Sequence, residues 1–318
     1  MALFLSETDV RELLPMERAL ECVEASFVAQ CSGNAANRPR ERILLPQVSL
    51  HYMAGALPEL KQIGMKIYTV TAEALRFIVL LFDTESGKLQ ALMQADHLGR
   101  IRTGAASGIA TKYLARPEAS RLGLIGTGRQ ARTQLEAIAK VRKLSGVKVF
   151  GRDTNRLKSF CSEMAEQVGV AVEPAVSLEA ATRFGEIVTT ATSAQQPVVH
   201  GEWLQPGTHL NAIGANMPNR RELDDQTLSR AGLITVDSVE QSREESGDLI
   251  QGFKNLGRSW DEVVELNAVV AGKHPGRSSE GQVTLFKSHG IALWDVAAAS
   301  YIYRRAREEG RGKALEVD

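Results

Sequence analysis

The sequence predicts a mixed α/β protein whose second part is a doubly wound parallel sheet and whose first part is a smaller, strand-rich α+β domain. Three observations predict it. From Arg121 onward, short apolar runs alternate with helical stretches; before residue 115, β-type runs follow one another with no crossover helix; and a glycine turn ends the first strand of the alternating region. Alternation of this kind means parallel strands joined by crossovers that cover both sheet faces, whereas strands separated by short turns pair antiparallel.

Taken in order, a helix over Met16–Gln30 leads into the runs Arg42–Leu45, Ile63–Thr71, Arg76–Phe82 and Lys88–Met93, the last two parted by the turn DTESGK at 83–88. A small-residue helix, Ala105–Leu114, connects to the alternating region. There RLGLIG (121–126) is a compact apolar run ending in glycine, and 129–144 carries Ala131, Leu135, Ile138 and Val141 at helical spacing. VKVFG (147–151) reads as the second strand, with Asp153 or Thr154 available to cap the next helix. EIVTTAT (186–192), THLNAIG (208–214) and LITVDS (233–238) read as further strands, and Ile291–Arg307 as an alanine-rich closing helix.

Composition excludes several classes. A chain of 318 residues, at about 100–200 residues per domain, predicts two domains. Lys+Arg and Asp+Glu balance at 38 each, so no basic excess exists to bind nucleic acid by gross electrostatics. Apolar stretches such as Phe77–Phe82 fall far short of the ~20 residues that span a bilayer. MALFLSETDV lacks the marks of a signal peptide, and Cys22, Cys31 and Cys161 form no CxxC, which fits free thiols in a reducing compartment. The expectation is a cytoplasmic protein with no membrane or nucleic-acid partner.

The turn at 126–131 is Gly126-Thr127-Gly128-Arg129-Gln130-Ala131, a GxGxxA sequence between a strand and a helix. In a dinucleotide site the first glycine makes the tight turn, the second lets backbone approach a pyrophosphate, and the small third residue lets helix and strand pack closely. An acidic residue at the end of the second strand would favour NAD, an arginine NADP. Here VFGRDTNR offers Arg152, with Arg156 one helical turn on, and a guanidinium suits a phosphate. If Asp153 faced the ribose instead, NAD would be preferred. The reading is NADP (NADPH), with NAD as the alternative.

Together, IGMKIYT (63–69), RTGAASGIATKYLA (102–115), IGTGRQA (125–131), AIGANMPNRRELDD (212–225), VDSVEQSREESGD (236–248) and QVTLFKSHGIALWD (282–295) resemble the ornithine cyclodeaminase/mu-crystallin family, closest in detail to its ketimine reductases. The resemblance implies a Rossmann domain over 116–290 and a discontinuous substrate and dimerisation domain, 1–115 with 291–318 returning to it. It implies a homodimer acting on small imino or amino acids with a nicotinamide cofactor.

The resemblance also implies roles for particular residues. Arg42, Lys66 and Arg102 fall on the positions of the substrate cations: the two arginines would clamp a carboxylate while Lys66 polarises the substrate and relays a proton. Read from residues alone, Lys66 is either a functional inward lysine or a solvated one on an alternating strand, and the resemblance favours the first. A desolvated lysine near two arginines should have a lowered pKa. Met53 and Arg220 are implied at the substrate, with Met65, Met217 and Trp294 as further lining. Thr103, at what reads as the start of a helix, Thr190 and Thr192 at a strand end, and Ser288 are implied at the cofactor beside Gly126, Gly128, Arg129, Gln130, Ala131, Arg152 and Arg156. Asn216 is the informative departure, because cyclodeaminases carry aspartate there and an amide cannot act as a general base. Asp224 and Asp225 read as serving a helix terminus, Lys287 as facing either cofactor or solvent, and His289 as packed or solvated. The six histidines form no metal-ligand spacing, so no metal is expected.

The implied activity is NADPH-dependent reduction of small cyclic α-imino acids, of pyrroline- or piperideine-2-carboxylate type, to L-amino acids. The alternatives are an alanine dehydrogenase-like enzyme, an ornithine cyclodeaminase, and a non-catalytic ligand-binding protein.

Overall fold

The computed structural model describes residues 1–317. The chain divides into two compact units, one made of Met1–Thr103 with the segment from Gly290 onward, the other of Gly104–His289. The first break thus falls inside a helix, Asp96–Leu114, that starts nine residues earlier than Ala105 (105 − 96). Its early start follows from Leu98 and Ile101, which are buried, and from Glu7, whose carboxylate accepts from the Asp96 and His97 backbone N–H groups at the helix start.

The first unit holds, among the described residues, a seven-stranded sheet. Its strands are β1 (Ala2–Leu5), β2 (Ala36–Leu44), β3 (Ser49–Leu57), β4 (Gln62–Val70), β5 (Leu75–Asp83), β6 (Leu89–Gln94) and a short closing strand, Lys313–Leu315. From β2 to β6 consecutive strands pair antiparallel, as expected, but β1 lies parallel to β6. β2 begins earlier than the expected Arg42 and contains Pro39. It is an edge strand, and its register shifts between Arg38 and Glu41, two conditions that tolerate proline. β3 has no counterpart in the sequence reading: its inward positions are His51, Met53, Gly55 and Leu57, so the apolar alternation is broken by a histidine and a glycine.

One face of this sheet carries the closing helix Ala292–Glu309, which packs on β3 and β4. The approach is close: a Cβ on Gly55 would lie 3.2 Å from Leu293 N, and one on Gly64 would lie 3.0 Å from Val296 Cγ2. The helix Met16–Cys31 buries Met16, Ala19, Leu20, Val23 and Phe27 at three- and four-residue spacing and packs on the closing helix. On the opposite sheet face, Leu50, Tyr52, Met65, Ile67, Ile78 and Leu80 remain only half-buried.

The second unit is built, among the described residues, on an eight-stranded sheet that is parallel throughout. Its strands are β7 (Arg121–Ile125), β8 (Gly146–Phe150), β9 (Val172–Pro174), β10 (Ile187–Thr190), β11 (His209–Ala212), β12 (Ala231–Val236), β13 (Val263–Glu265) and β14 (Val283–Lys287). They run in the order β13-β12-β14-β11-β10-β7-β8-β9. The chain goes first to one side of β7 and then, at β10, to the other, so the strand order reverses between β7 and β10, where open α/β sheets bind ligands beyond their carboxyl ends. Leu122, Leu124, Leu135, Ile138, Val149 and Phe160 fill one core cluster, and Ile125, Val188, Leu210, Ile234 and Leu285 another. Strands covered on both faces read as near-continuous apolar runs, which makes β7, β8, β10, β11 and β12 legible; β9 and β13, three residues each, and β14 have no counterpart in the sequence reading. Among the described residues, no helix is long and apolar enough to cross a membrane.

Candidate active site

In the second unit the turn after β7 is committed to glycine. Gly126 has φ +117°, and a Cβ there would lie 2.4 Å from the Ala191 carbonyl oxygen. Gly128 is the N-cap of the helix Arg129–Val141, and no side chain caps that end. The first N–H groups of the helix, those of Arg129, Gln130 and Ala131, lack intrahelical acceptors and form an anion seat of the kind that binds pyrophosphate. Ala131 is fully buried against the sheet, whereas Arg129 is exposed.

At the end of β8, Asp153 is the N-cap of the helix Thr154–Val168, its Oδ1 accepting from Asn155 N and Arg156 N at 2.9 Å each. One oxygen of that carboxylate is committed to its own helix. Arg152 is exposed, and Arg156 Nε donates to the Thr127 carbonyl oxygen at 3.1 Å, tying the arginine to the glycine turn. Thr190 is fully buried at the end of β10 with its hydroxyl oxygen unpartnered by protein. A turn with no room for a Cβ, an uncapped helix start and an orphaned buried hydroxyl are what a dinucleotide would fill, so the residues fit that group.

The segment after β11 carries Asn216, Met217 and Arg220. Glu222 closes it, fully buried: Oε1 accepts from Thr192 N (2.9 Å) and Thr192 Oγ1 (2.7 Å), and Oε2 from Gly214 N (2.7 Å) and Ala215 N (3.1 Å). The Thr192 hydroxyl is thereby engaged with Glu222. Ser288 Oγ donates to Asp237 Oδ2 at 3.0 Å, and the same oxygen accepts from His289 N at 2.8 Å. His289 is largely buried, in keeping with a packed histidine. Lys287 faces neither solvent nor an open edge. It is fully buried at the end of β14, its Nζ 2.9 Å from Asp248 Oδ2, because burial demands a counter-ion. Asp224 is a helix N-cap, accepting from Thr227 N, as its sequence context implied.

In the first unit a charged cluster lies beneath the closing helix. Asp295 Oδ1 accepts from Lys66 Nζ at 2.9 Å and from Arg102 Nε at 3.1 Å, with all three side chains at most 4% exposed. Burying one carboxylate between two cations costs desolvation, and such a group persists only where the geometry is good. The surroundings supply it. Arg102 Cζ stands 5.4 Å from the Trp294 ring centroid, and Lys66 Nζ 5.4 Å from that of Phe77. Two glycines make the room: a Cβ on Gly99 would lie 2.7 Å from Lys66 Nζ, and one on Gly290 would lie 2.3 Å from Arg102 Nη1. Arg102 Nη1 is buried without a protein partner, a guanidinium N–H left for an anion. Burial pulls the Lys66 pKa down to about 8, helped by the Arg102 and Arg40 charges and opposed by Asp295.

The expected cations Lys66 and Arg102 are joined by a further arginine. Arg40, not singled out in the sequence reading, is buried and donates to the Gly290 carbonyl oxygen at 3.3 Å, and it is the second arginine acting on Lys66. Arg42 is half-exposed; it pairs in register with His51, which stacks on Tyr68. Arg42 therefore stands on the same sheet face as Lys66, one cross-strand row away. Met53 is buried directly opposite Lys66, but Met65, next to Lys66 on β4, points to the other face. Arg102 and Thr103 do not precede a helix but lie within one, and Thr103 Oγ1 donates to the Gly99 carbonyl oxygen at 2.8 Å, so no helix start is offered there. Asp295 was the residue missed; an acid in an alanine-rich apolar helix was its signal. Among the described residues, no group of three or more His, Cys, Asp or Glu is placed to hold a metal ion.

Comparison with known proteins adds an independent line. The model of the ornithine cyclodeaminase/mu-crystallin family matches residues 1–310. A delta(1)-pyrroline-2-carboxylate reductase from Bacillus cereus is 34% identical over 289 residues, 88% of this chain and 86% of that protein. An alanine dehydrogenase from Archaeoglobus fulgidus is 33% identical over an alignment of 327 residues, 99% and 98% of the two chains. The ketimine reductase mu-crystallin of Rattus norvegicus is 35% identical over 225 residues, 71% and 68%. Among solved structures, that of Thermococcus litoralis delta(1)-pyrroline-2-carboxylate reductase in complex with NADH and L-proline is similar, with a TM-score of 0.95 at 35% identity, covering 98% of this chain and 100% of that one.

Proposed function

Because the chain belongs to the ornithine cyclodeaminase/mu-crystallin family, we propose that it reduces small cyclic α-imino acids, of pyrroline- or piperideine-2-carboxylate type, to L-amino acids, with NADPH as its reductant. It is a nicotinamide-dependent oxidoreductase of C=N bonds whose substrates are small imino or amino acids. The observation that carries the narrower reading is the Asp295 cluster, where a lysine of lowered pKa sits beside a buried guanidinium with an N–H to spare.

When bound, the nicotinamide supplies hydride to the carbon of the C=N bond. In this reading the chain's own groups bind and protonate. Arg102, with Arg40, holds the substrate carboxylate, and Met53 and Arg42 flank it on the same sheet face. Lys66 donates a hydrogen bond to the imine nitrogen and delivers the proton that the new amine requires. Asp295 holds Lys66 and Arg102 in fixed relation, so neither must be ordered when substrate arrives. Asn216 and Arg220 offer polar contacts without a carboxylate base, which disfavours the cyclodeaminase reaction.

A pH dependence follows. Lys66 can give a proton only while charged, and its pKa is about 8. The kcat/KM for imine reduction is expected to fall as pH rises through that value. A kcat/KM profile of the wild type against Lys66→Met checks it: the limb should be missing from the variant.

The preference for NADPH rests on the exposed Arg152 and on Asp153, whose Oδ1 serves as its helix cap. Thr190, whose buried hydroxyl is left over, completes the proposed cofactor contacts, whereas the hydroxyls of Thr103, Thr192 and Ser288 are engaged by Gly99, Glu222 and Asp237. Arg152→Ser should lower kcat/KM for NADPH by roughly ten- to a hundredfold, the value of one or two charge-assisted hydrogen bonds. It should leave kcat/KM for NADH nearly unchanged. Equal loss with both cofactors would remove Arg152 from the selector role.

The half-buried apolar sheet face of Leu50, Tyr52, Met65, Ile67, Ile78 and Leu80 supports a homodimer, since a second copy would cover it. Among the described residues, none of the three cysteines forms a disulfide, which supports a cytoplasmic setting. The test of the reading is NADPH oxidation with pyrroline-2-carboxylate alone. Turnover only with pyruvate and ammonia would instead favour an activity like that of the Archaeoglobus relative.

A further inference from the structure

Lys287 has no part in the chemistry above, yet it is fully buried with a single counter-ion. We propose that Lys287 is a positioning residue for the Asn216 segment, acting through Ala215 and, by way of Asp248 and Glu222, fixing that segment against the end of β10. The proposal rests on the reductase reading for its effect on turnover, but its geometry does not.

The four groups close a circuit within the second unit. Lys287 Nζ donates to the Ala215 carbonyl oxygen at 2.6 Å and lies 2.9 Å from Asp248 Oδ2. Asp248 Oδ1 accepts from Glu222 N at 2.7 Å and Leu223 N at 2.9 Å. The Glu222 carboxylate returns to Ala215 N and Gly214 N on one side and to Thr192 on the other. Ala215 is thus gripped by its N–H and its carbonyl, one residue before Asn216, and the far end of the irregular stretch is gripped at residues 222 and 223. Beneath it Gly247 leaves no space: a Cβ there would lie 2.1 Å from the Arg220 carbonyl oxygen and 2.7 Å from that of Met217.

Stability alone does not account for this arrangement. A buried ion pair pays a desolvation cost that an apolar pair of similar volume avoids. What an apolar pair cannot supply is a donor to Ala215 and acceptors for two backbone N–H groups, the contacts that hold an irregular backbone in one place. Glu222 extends the grip to Gly214, where a Cβ would lie 2.1 Å from the Thr192 carbonyl oxygen, so the two strand ends are held in contact.

The test compares the wild type with Lys287→Met and with the double variant Lys287→Met/Asp248→Asn, which removes the pair without stranding a charge and keeps an acceptor for Glu222 N and Leu223 N. In the double variant the melting temperature and the Kd for NADPH, read by fluorescence titration, should stay near wild type. The kcat with pyrroline-2-carboxylate should fall by at least about tenfold, with a smaller change in KM. Amide exchange at Gly214 and Ala215 should quicken. Unchanged exchange at those amides overturns the proposal, as does a kcat within about twofold of wild type, or a loss of NADPH affinity that parallels the loss of kcat. Should the wild type not reduce the imine, the reductase reading fails on that result and the exchange data alone decide the tether.

Discussion

Replacing Lys66 with methionine is expected to lower kcat/KM for imine reduction by roughly a thousandfold, the middle of the range for losing a positioned proton donor. The fold should survive. Lys66 and Arg102 share one carboxylate oxygen of Asp295, so removing the lysine leaves Arg102 and Asp295 as a one-to-one pair, and a methionine roughly fills the space of the stem. Arg102 keeps its N–H for the substrate carboxylate, so KM should rise less than kcat falls. Steady-state kinetics beside a urea unfolding curve measure both. A variant with wild-type turnover would take Lys66 out of the chemistry; one that is unfolded would make its role structural.

Asp295→Ala should have the largest effect on stability. It leaves Lys66 and Arg102 buried together without their shared anion, and breaking a buried pair in this way costs about 3–5 kcal/mol. Part of that is recovered as Lys66 loses its proton. The sign of the pH dependence follows: burial holds the folded pKa at about 8, below the ~10.4 of a free lysine. Between those values the unfolded chain binds more protons, so stability from this group rises with pH across the window and is lowest below it. In Asp295→Ala the folded pKa falls further, because the group that raised it is gone. The window opens at lower pH, so while the wild-type carboxylate is ionised the deficit against wild type should be larger around neutral pH than near pH 8 and above. Asp295→Asn, which keeps an acceptor, should lose less. Denaturation midpoints across pH measure this, and an alanine variant as stable as wild type at neutral pH would mean that the cluster is not held together as described.

How much was legible in the sequence depended on whether a residue's partner was near in the chain. The strands read at 121–126, 147–151, 186–192, 208–214 and 233–238, the glycine turn and the Asp224 cap are local patterns, and each matches its observed element to within a few residues, whereas β9, β13 and β14 have no counterpart in the sequence reading. β3 was lost because His51 and Gly55 occupy inward positions, so its periodicity is visible only once the neighbouring strands are paired. The helix start at Asp96 was displaced because Glu7, which accepts from its first N–H groups, is 89 residues away. Distance in sequence hid the site in the same way. Lys66 and Arg102 stood out as cations, but the Asp295 that organises them lies 229 and 193 residues further on. Arg40 joins Arg42 on this strand through the register shift in β2 between Arg38 and Glu41, which is not written in the residues themselves. Lys287 could not be assigned a direction, since its counter-ion belongs to a helix in another part of the chain.

The central claim is that this chain reduces the C=N carbon of a cyclic α-imino acid. The most direct test is to supply NADPH deuterated at the transferring carbon, with pyrroline-2-carboxylate and no ammonia, and to read the product by NMR and chiral chromatography. The account predicts L-proline carrying deuterium at its α-carbon, formed in step with NADPH oxidation. Unlabelled product, or no product until pyruvate and ammonia replace the imine, would contradict it.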